Sequence, residues 1–186
     1  MDFYNKSEQS ILLNAENIIV GFSGGVDSTL VLAATNQFLE AHNKKNCLTA
    51  LHVNHQTQSD SSSWQIHCEK FCKEHNINFS CESVKINESG QGYEAAARSA
   101  RLDIFNAFDE ATVIILGHHL DDQVETVFFR VLRGTGLKGL TGMQRHIKIK
   151  DKDFIRPLLH LTKEEIFKQA IESVSYTHLR AHETVV

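Results

Sequence analysis

Short apolar runs and longer amphipathic stretches alternate along the chain. Four runs are typical of buried strands, because they are short, rich in β-branched residues and bounded by polar turns. They cover 18–22, 47–53, 77–84 and 112–117. Apolar residues recur at helical spacing in 27–41, 61–75, 93–108 and 121–133. The pattern therefore predicts strands and helices in alternation.

This alternation predicts the fold class. Strands separated by helices of this length are typical of a parallel sheet with right-handed crossovers. We expect an α/β fold of the Rossmann-like class, with a doubly wound, mostly parallel sheet and helices on both faces. A length of 186 residues with 41% hydrophobic content fits one such domain.

Three polar clusters directly follow or close predicted strands. They are SGGVDS at 23–28, HVNH at 52–55 and GHHLDDQ at 117–123. In doubly wound sheets, ligands bind beyond the carboxyl ends of the strands. We therefore expect the three clusters to converge on one crevice.

The SGGVDS cluster has the chemistry of an anion-binding loop. Gly24 and Gly25 allow a tight turn and a close backbone approach, while Ser23, Ser28 and the amides around Val26 offer donors at a helix N-terminus. No Gly-Lys-Ser/Thr follows, so the loop is not a Walker motif and could instead hold a pyrophosphate. The negative charge of Asp27 would repel a phosphate, which implies a Mg²⁺ ion that bridges the two. The alternative is a plain turn with Asp27 as helix N-cap.

The segment 118–122, HHLDD, holds four potential metal ligands. A di-metal hydrolase centre is therefore an alternative to a site for Mg²⁺ bound with a nucleotide. No matching pair of carboxylate and histidine follows another strand, apart from Asp27 and the HVNH cluster. The sequence leaves both interpretations open.

Charge is distributed unevenly. The net charge is −4, which excludes a global polybasic signal, but 130–156 contains eight Lys or Arg against two Asp. Such a patch can contact a phosphate backbone, and the glycine-rich loop 133–143 within it suits RNA. The candidate contacts are Arg130, Arg133, Lys138 and Arg145. The alternative is a solvated hairpin or a mobile surface loop.

The cysteines and the apolar runs indicate the compartment. Cys47, Cys68, Cys72 and Cys81 are irregularly spaced and form no Cys-x2-Cys pair, so we expect free thiols. The longest uninterrupted apolar run is far too short to cross a bilayer. A cytoplasmic location is the resulting expectation.

Taken in order, the motifs resemble a known family. SGGVDS is similar to the pyrophosphate-loop signature of the N-type ATP pyrophosphatases, which have an adenine nucleotide alpha hydrolase-like fold. With LHVNHQ, EAAARSAR, GHHLDDQVETVFFRVLRGTGLKGLTGM and IRPLL, it resembles the N-terminal catalytic domain of the tRNA(Ile)-lysidine synthases, from about Asn17 to Ile171. The resemblance implies ATP and Mg²⁺ as cofactors. It also implies attachment of free lysine to the wobble cytidine of tRNA(Ile) with a CAU anticodon, releasing AMP and pyrophosphate.

The resemblance also implies roles for residues. His52 and Asn54 would contact adenosine or phosphate, and Asp27 with Asp122 would hold Mg²⁺. Asp122 would lie at the active site beside the lysine amine, with Glu125 as the weaker candidate. Arg98 is favoured over Arg101 for contact with ATP or the target base.

Two alternative functions remain open for a chain with these motifs. A tRNA thiolation enzyme of the same superfamily would be expected to carry paired Cys-x2-Cys motifs, and a nucleotide-binding module without turnover is a second alternative. Residues 1–173 would form the catalytic domain, truncated at its carboxyl end, and 174–186 resemble a non-native tail without order. A homodimer is left open, because the sequence does not give the oligomeric state.

Overall fold

A computed structural model of the chain describes residues 3–54, 61–84, 93–109, 111–134 and 141–173. Its helices are α1 (Lys6–Asn14), α2 (Val26–Ala41), α3 (Ser61–Glu74), α4 (Tyr93–Ala107), α5 (Leu120–Leu132) and α6 (Lys163–Ser173). Its strands are β1 (Asn17–Gly21), β2 (Leu48–Asn54), β3 (Asn78–Ser83), β4 (Thr112–Ile115), β5 (His146–Ile149) and β6 (Lys152–Ile155). A short 3₁₀ turn, Lys45–Cys47, precedes β2.

The six strands form one sheet in the order β3-β2-β1-β4-β6-β5. All neighbouring pairs are parallel except β5 and β6, which pair antiparallel. The chain runs outward from β1 to β3 and then returns to β4 on the other side of β1. This reversal confirms the predicted doubly wound, mostly parallel sheet and places its switch point between β1 and β4.

Alternate residues of the central strands face two separate cores. On one face, Ile18 and Val20 pack in a cluster with residues of α1, α2, α3 and α6. On the other, Ile19 and Ile114 pack with Phe105 of α4. The sheet is thus covered by helices on both faces, as the apolar runs predicted.

Three parts of the structure were not predicted as elements: α1, α6 and the strand pair of β5 and β6. The strand pair lies within the basic segment 130–156, for which a solvated hairpin was one of the two interpretations. All four cysteines are free. None of the helices in the described ranges is both long and apolar enough to span a membrane. Residues 174–186 lie outside the described part of the chain, so the predicted domain division stays a prediction.

Candidate nucleotide site

The loop between β1 and α2 ends in an open helix N-terminus. Gly24 has φ +86°, in the region that favours glycine, and Gly25 is the N-cap of α2. No described side chain caps this end of the helix. The alternative that Asp27 is the N-cap is therefore wrong, because the helix begins one residue earlier, at Val26. The first amides of α2 remain suited to bind an anion.

The two serines of the loop bond to each other and to the loop backbone. Their hydroxyl oxygens are 3.0 Å apart, and Ser28 Oγ donates to the Gly25 carbonyl at 3.0 Å. The Ser23 amide donates to Ser28 Oγ at 3.2 Å. These bonds join the start of the loop to the first turn of α2. The hydroxyls therefore hold the loop, and their role as ligand donors stays a prediction.

A side chain at Gly24 should disrupt this loop. A Cβ there would lie 2.9 Å from Cys68 Sγ and 3.3 Å from Trp64, and the positive φ adds strain. We expect Gly24→Ala to lower the free energy of unfolding by about 1–3 kcal/mol, measured by urea denaturation. The matched change Gly25→Ala meets only Ser23 Oγ, at 3.5 Å, and should cost less than about 1 kcal/mol. Equal losses in both variants would contradict this account.

In the HVNH cluster, His52 contacts the residue that precedes the loop. Its Nδ1 lies 2.9 Å from the Phe22 carbonyl oxygen, and because a carbonyl only accepts, Nδ1 carries the proton. In the neutral ring, Nε2 is then the acceptor. Asn54 is buried, and its amide donates to Gln65 Oε1 at 3.5 Å. His55 lies outside the described residues.

The loop after β4 meets the first turn of α2. A Cβ on Gly117 would lie 3.2 Å from the Ser28 amide nitrogen and 3.3 Å from the Asp27 carbonyl oxygen. Only a residue without a side chain allows two backbones to approach this closely. Gly117 was not singled out from the sequence, although a glycine placed between a strand and a polar cluster is a recognisable signal.

Carboxylates from two helices surround His119, which is buried. Its Nε2 lies 3.8 Å from Asp27 Oδ2, and its Nδ1 lies 3.5 Å from Asp121 Oδ2 and 3.6 Å from Asp122 Oδ2. Asp122 also accepts a hydrogen bond from the His119 amide at 2.8 Å, which caps α5. The first and third polar clusters therefore meet, as the sequence predicted.

Asp27 has the environment of a cation ligand. Its Oδ1 is buried and has no hydrogen-bond partner among the described residues. Burial raises the pKa of this carboxyl, while the nearby His119 and Lys163 lower it by less. A cation beside Oδ1 would compensate the buried charge, so the site fits Mg²⁺.

The metal alternatives can be compared with this geometry. Within the described ranges, no group of three or more His, Cys, Asp or Glu side chains could hold a metal ion. The alternative of a di-metal centre therefore has no ligand set there. Mg²⁺ bound with a nucleotide needs only one or two protein carboxylates, since phosphate oxygens and waters complete its shell.

A cavity of about 270 Å³ opens beside the loop at the switch point. Ser23, Asp27, Ser28 and His52 line it together with an apolar wall, whose larger members are Phe22, Leu51, Phe105 and Leu116. Asn54 is not among its lining residues. Arg101 of α4 is, whereas the side chain of Arg98 lies outside the described part. A cavity with an apolar wall and an anion loop suits a nucleotide.

The four predicted RNA contacts do not share one environment. Arg133 is exposed, and Arg130 donates to the Gly142 carbonyl at 2.9 Å. Lys138 lies outside the described residues. Arg145 instead forms a two-bond ion pair with Glu8, at 2.7 Å and 3.0 Å. The geometry gives Arg145 a structural role, which sequence spacing could not reveal.

Comparison with known proteins shows the family of the chain. A sequence model described as the PP-loop domain matches residues 2–177. The tRNA(Ile)-lysidine synthase of Francisella tularensis subsp. novicida is 34% identical over 173 residues, covering 91% of this chain and 42% of that protein. The protein of the same name from Legionella pneumophila strain Paris is 39% identical over 155 residues, covering 81% and 34%.

A solved structure supports the fold. The U34-tRNA thiolase NcsA from Methanococcus maripaludis, with its 4Fe-4S cluster, matches with a TM-score of 0.62 and 19% identity, covering 91% of this chain and 63% of that one. The chain spans 34–42% of the length of the curated relatives it matches. The loop, the sheet order and the match over residues 2–177 agree: the chain belongs to the PP-loop domain family.

Proposed function

We propose that this chain carries the catalytic site of an ATP-dependent ligase that converts the wobble cytidine of tRNA(Ile) with a CAU anticodon into lysidine. The observation that carries the proposal is the open N-terminus of α2 beside Asp27 and the adjoining cavity with its apolar wall. The names of the similar curated proteins support the same substrates. ATP would be cleaved to AMP and pyrophosphate.

The first step is adenylation of the cytidine. Its O2 attacks the α-phosphorus of ATP, forming an O–P bond while the bond to pyrophosphate breaks. The amides at the start of α2, with Ser23 and Ser28, would stabilise the charge on the departing pyrophosphate. Asp27 with Asp122 would hold Mg²⁺, which would supply further neutralisation of phosphate charge.

The second step joins lysine to the activated base. The ε-amino group attacks C2, forming a C–N bond, and AMP leaves with the oxygen that was O2. The amine must lose protons to react, so a carboxylate beside it is required. Asp122 is our candidate for this carboxylate. It lies at the start of α5, and its Oδ2 is 3.6 Å from Nδ1 of His119. The other ring nitrogen of His119 lies 3.8 Å from Asp27. Glu125 is the weaker candidate because it is exposed.

Basic residues would position the nucleotide and the RNA. Arg101 lines the cavity, and Arg98 lies one helical turn before it, so either guanidinium could offset charge on the adenylated base. Arg133 and Lys138 remain the proposed contacts with the RNA backbone. Arg130 would support them by holding the Gly142 carbonyl. Arg145 is left out because it pairs with Glu8. ATP, lysine and tRNA imply a cytoplasmic location.

The proposal is tested by incubating the chain with ATP, Mg²⁺, labelled lysine and unmodified tRNA(Ile) transcript. We expect label in the tRNA and an equal amount of pyrophosphate. Asp122→Asn keeps an acceptor for the His119 amide but removes the charge, so label should fall at least about 100-fold while ATP binding persists. ATP binding without pyrophosphate or label in the unsubstituted chain would favour the non-catalytic nucleotide-binding alternative.

A further inference from the structure

The side chain of Gln123 holds a backbone segment against the first turn of α5. Its amide nitrogen donates to the Met143 carbonyl at 2.8 Å, and its oxygen accepts from the Met143 amide at 2.6 Å. Both backbone polar groups of Met143 are therefore paired with one side chain. We call this pair of bonds the Gln123 clamp.

The residue before Met143 allows this close approach. Gly142 has φ +66°, and a Cβ there would lie 2.7 Å from Oε1 and 2.9 Å from Nε2 of Gln123. Arg130, which lies two turns further along α5, donates to the Gly142 carbonyl at 2.9 Å. Two side chains of α5 thus bind adjacent residues of the same segment.

Polar contacts of this kind fix the position of α5. None of its 13 residues is buried. Its first turn is held in addition by a bond from the Leu120 amide to the Leu161 carbonyl at 2.9 Å, and Asp121 accepts from the Lys163 amide at 3.1 Å. Loss of the clamp should therefore shift the segment against α5 without unfolding the sheet.

The clamp joins two parts of the molecule that the proposed reaction needs. Gln123 directly follows Asp122, our candidate for the carboxylate beside the lysine amine, and its backbone amide donates to the His119 carbonyl at 3.1 Å. Met143 belongs to the basic segment 130–156, which begins in the last turns of α5 and contacts its first turn again at the clamp. The clamp therefore fixes where the basic segment lies relative to Asp122.

We propose that Gln123 is a positioning residue of this reaction: it holds the basic segment so that RNA bound there presents its cytidine at Asp122. The proposal rests on the proposed function. Contacts with phosphates set the position of a nucleic acid on a protein, so a shift of the segment would move the bound base. A displacement of about 1 Å can lower a rate by about 100-fold.

Gln123→Met tests this role, because it removes both bonds and nearly preserves the length of the side chain. We expect kcat for lysidine formation to fall at least about tenfold, while KM for tRNA(Ile) and Kd for ATP change less than about threefold. The cations that bind the RNA are retained, and only the alignment of the base is lost. The matched control is Gln144→Met, on an exposed glutamine one residue beyond Met143. It should change none of these quantities.

Hydrogen exchange at the Met143 amide measures the clamp without any substrate. Gln123→Met should speed this exchange at least about tenfold, because the amide loses its acceptor. Gln144→Met should leave the exchange rate unchanged. Thermal melts establish that each variant is folded.

Gly142→Ala breaks the clamp from the other side, since the added Cβ would displace the amide of Gln123. It should lower kcat as Gln123→Met does. The double variant should lie within about threefold of the slower single variant, because the same contact is lost in all three. Losses that multiply would show that the two residues act separately and would overturn the proposal.

The results separate this role from the proposed function. If Gln123→Met speeds exchange at Met143 but retains its kcat, the clamp positions nothing and the proposal is wrong. If ATP binding falls together with kcat, Gln123 is a structural residue and the proposal is also wrong. An unsubstituted chain that forms no lysidine would overturn the proposed function and this role with it, whereas slow exchange at Met143 would still establish the clamp.

Discussion

Replacing Asp27 with asparagine should lower pyrophosphate release at least about 100-fold and, in the absence of ligands, raise the melting temperature. The two effects share one cause. Oδ1 of Asp27 is buried without a hydrogen-bond partner in the described part of the chain, and its burial disfavours the charged form. The carboxylate that is suited to hold a cation therefore destabilises the ligand-free fold.

The pH dependence of this effect has a definite sign. The pKa of Asp27 is raised above its ordinary value of 3.8, chiefly by burial. Between these two pKa values the folded state holds the proton more tightly than the unfolded state, so stability falls as pH rises through the window. The stabilising effect of Asp27→Asn should grow as pH rises from 3.8 through the raised pKa of the folded state, and it should be lost well below pH 3.8, where Asp27 is protonated in both states.

The control is Asp109→Asn, on an exposed residue that precedes the amino end of β4, whereas the loop with Asp27 follows the carboxyl end of β1. It should change neither pyrophosphate release nor the melting temperature. Thermal melts at several pH values and Mg²⁺-dependent ATP binding check the prediction. If Asp27→Asn lowers both the melting temperature and ATP binding, Asp27 is a structural residue and the cation role is wrong.

Local chemistry explains why most of the sheet could be predicted. The strands β1, β2, β3 and β4 are apolar runs whose bounds differ from the predicted ones by at most two residues. Helix α1 was missed because its nine residues contain a single fully buried apolar side chain, Leu12, too few to establish a period. The pair of β5 and β6 was missed because Lys148, Lys150 and Lys152 dominated the segment, although His146–Ile149 alternates as a strand.

The parts of the candidate site that are formed by residues close together in sequence could be predicted. The glycines and serines of 23–28 define their own loop, and the strand-end rule predicted that this loop meets the segment of His119, which contacts Asp27. The contact of Gly117 with the start of α2 and the place of Arg101 in the cavity depend on how α4 and β4 pack. Arg145 is the extreme case, because its partner Glu8 lies 137 residues away.

Arg145→Met should lower the free energy of unfolding by about 3–5 kcal/mol. Nε and Nη2 of Arg145 donate to the two carboxylate oxygens of Glu8, whose side chain is only 2% exposed. Nη2 also donates to the Phe3 carbonyl at 2.6 Å and Nη1 to the Pro157 carbonyl at 2.9 Å. Without the guanidinium, a buried carboxylate loses its counter-charge and two carbonyls lose their donor.

The double variant Glu8→Gln/Arg145→Met separates the lost ion pair from lost packing. It removes both charges, while the introduced side-chain amide oxygen still accepts from the Asn5 amide, which donates to Glu8 Oε2 at 2.9 Å in the unsubstituted chain. It should therefore recover more than half of the loss, because breaking a buried pair costs more than replacing it. Lys148→Met, at an exposed position of β5, should stay within about 0.5 kcal/mol. Urea denaturation measures all three, and a double variant no more stable than Arg145→Met would show that packing, rather than the charge of Glu8, makes Arg145 necessary.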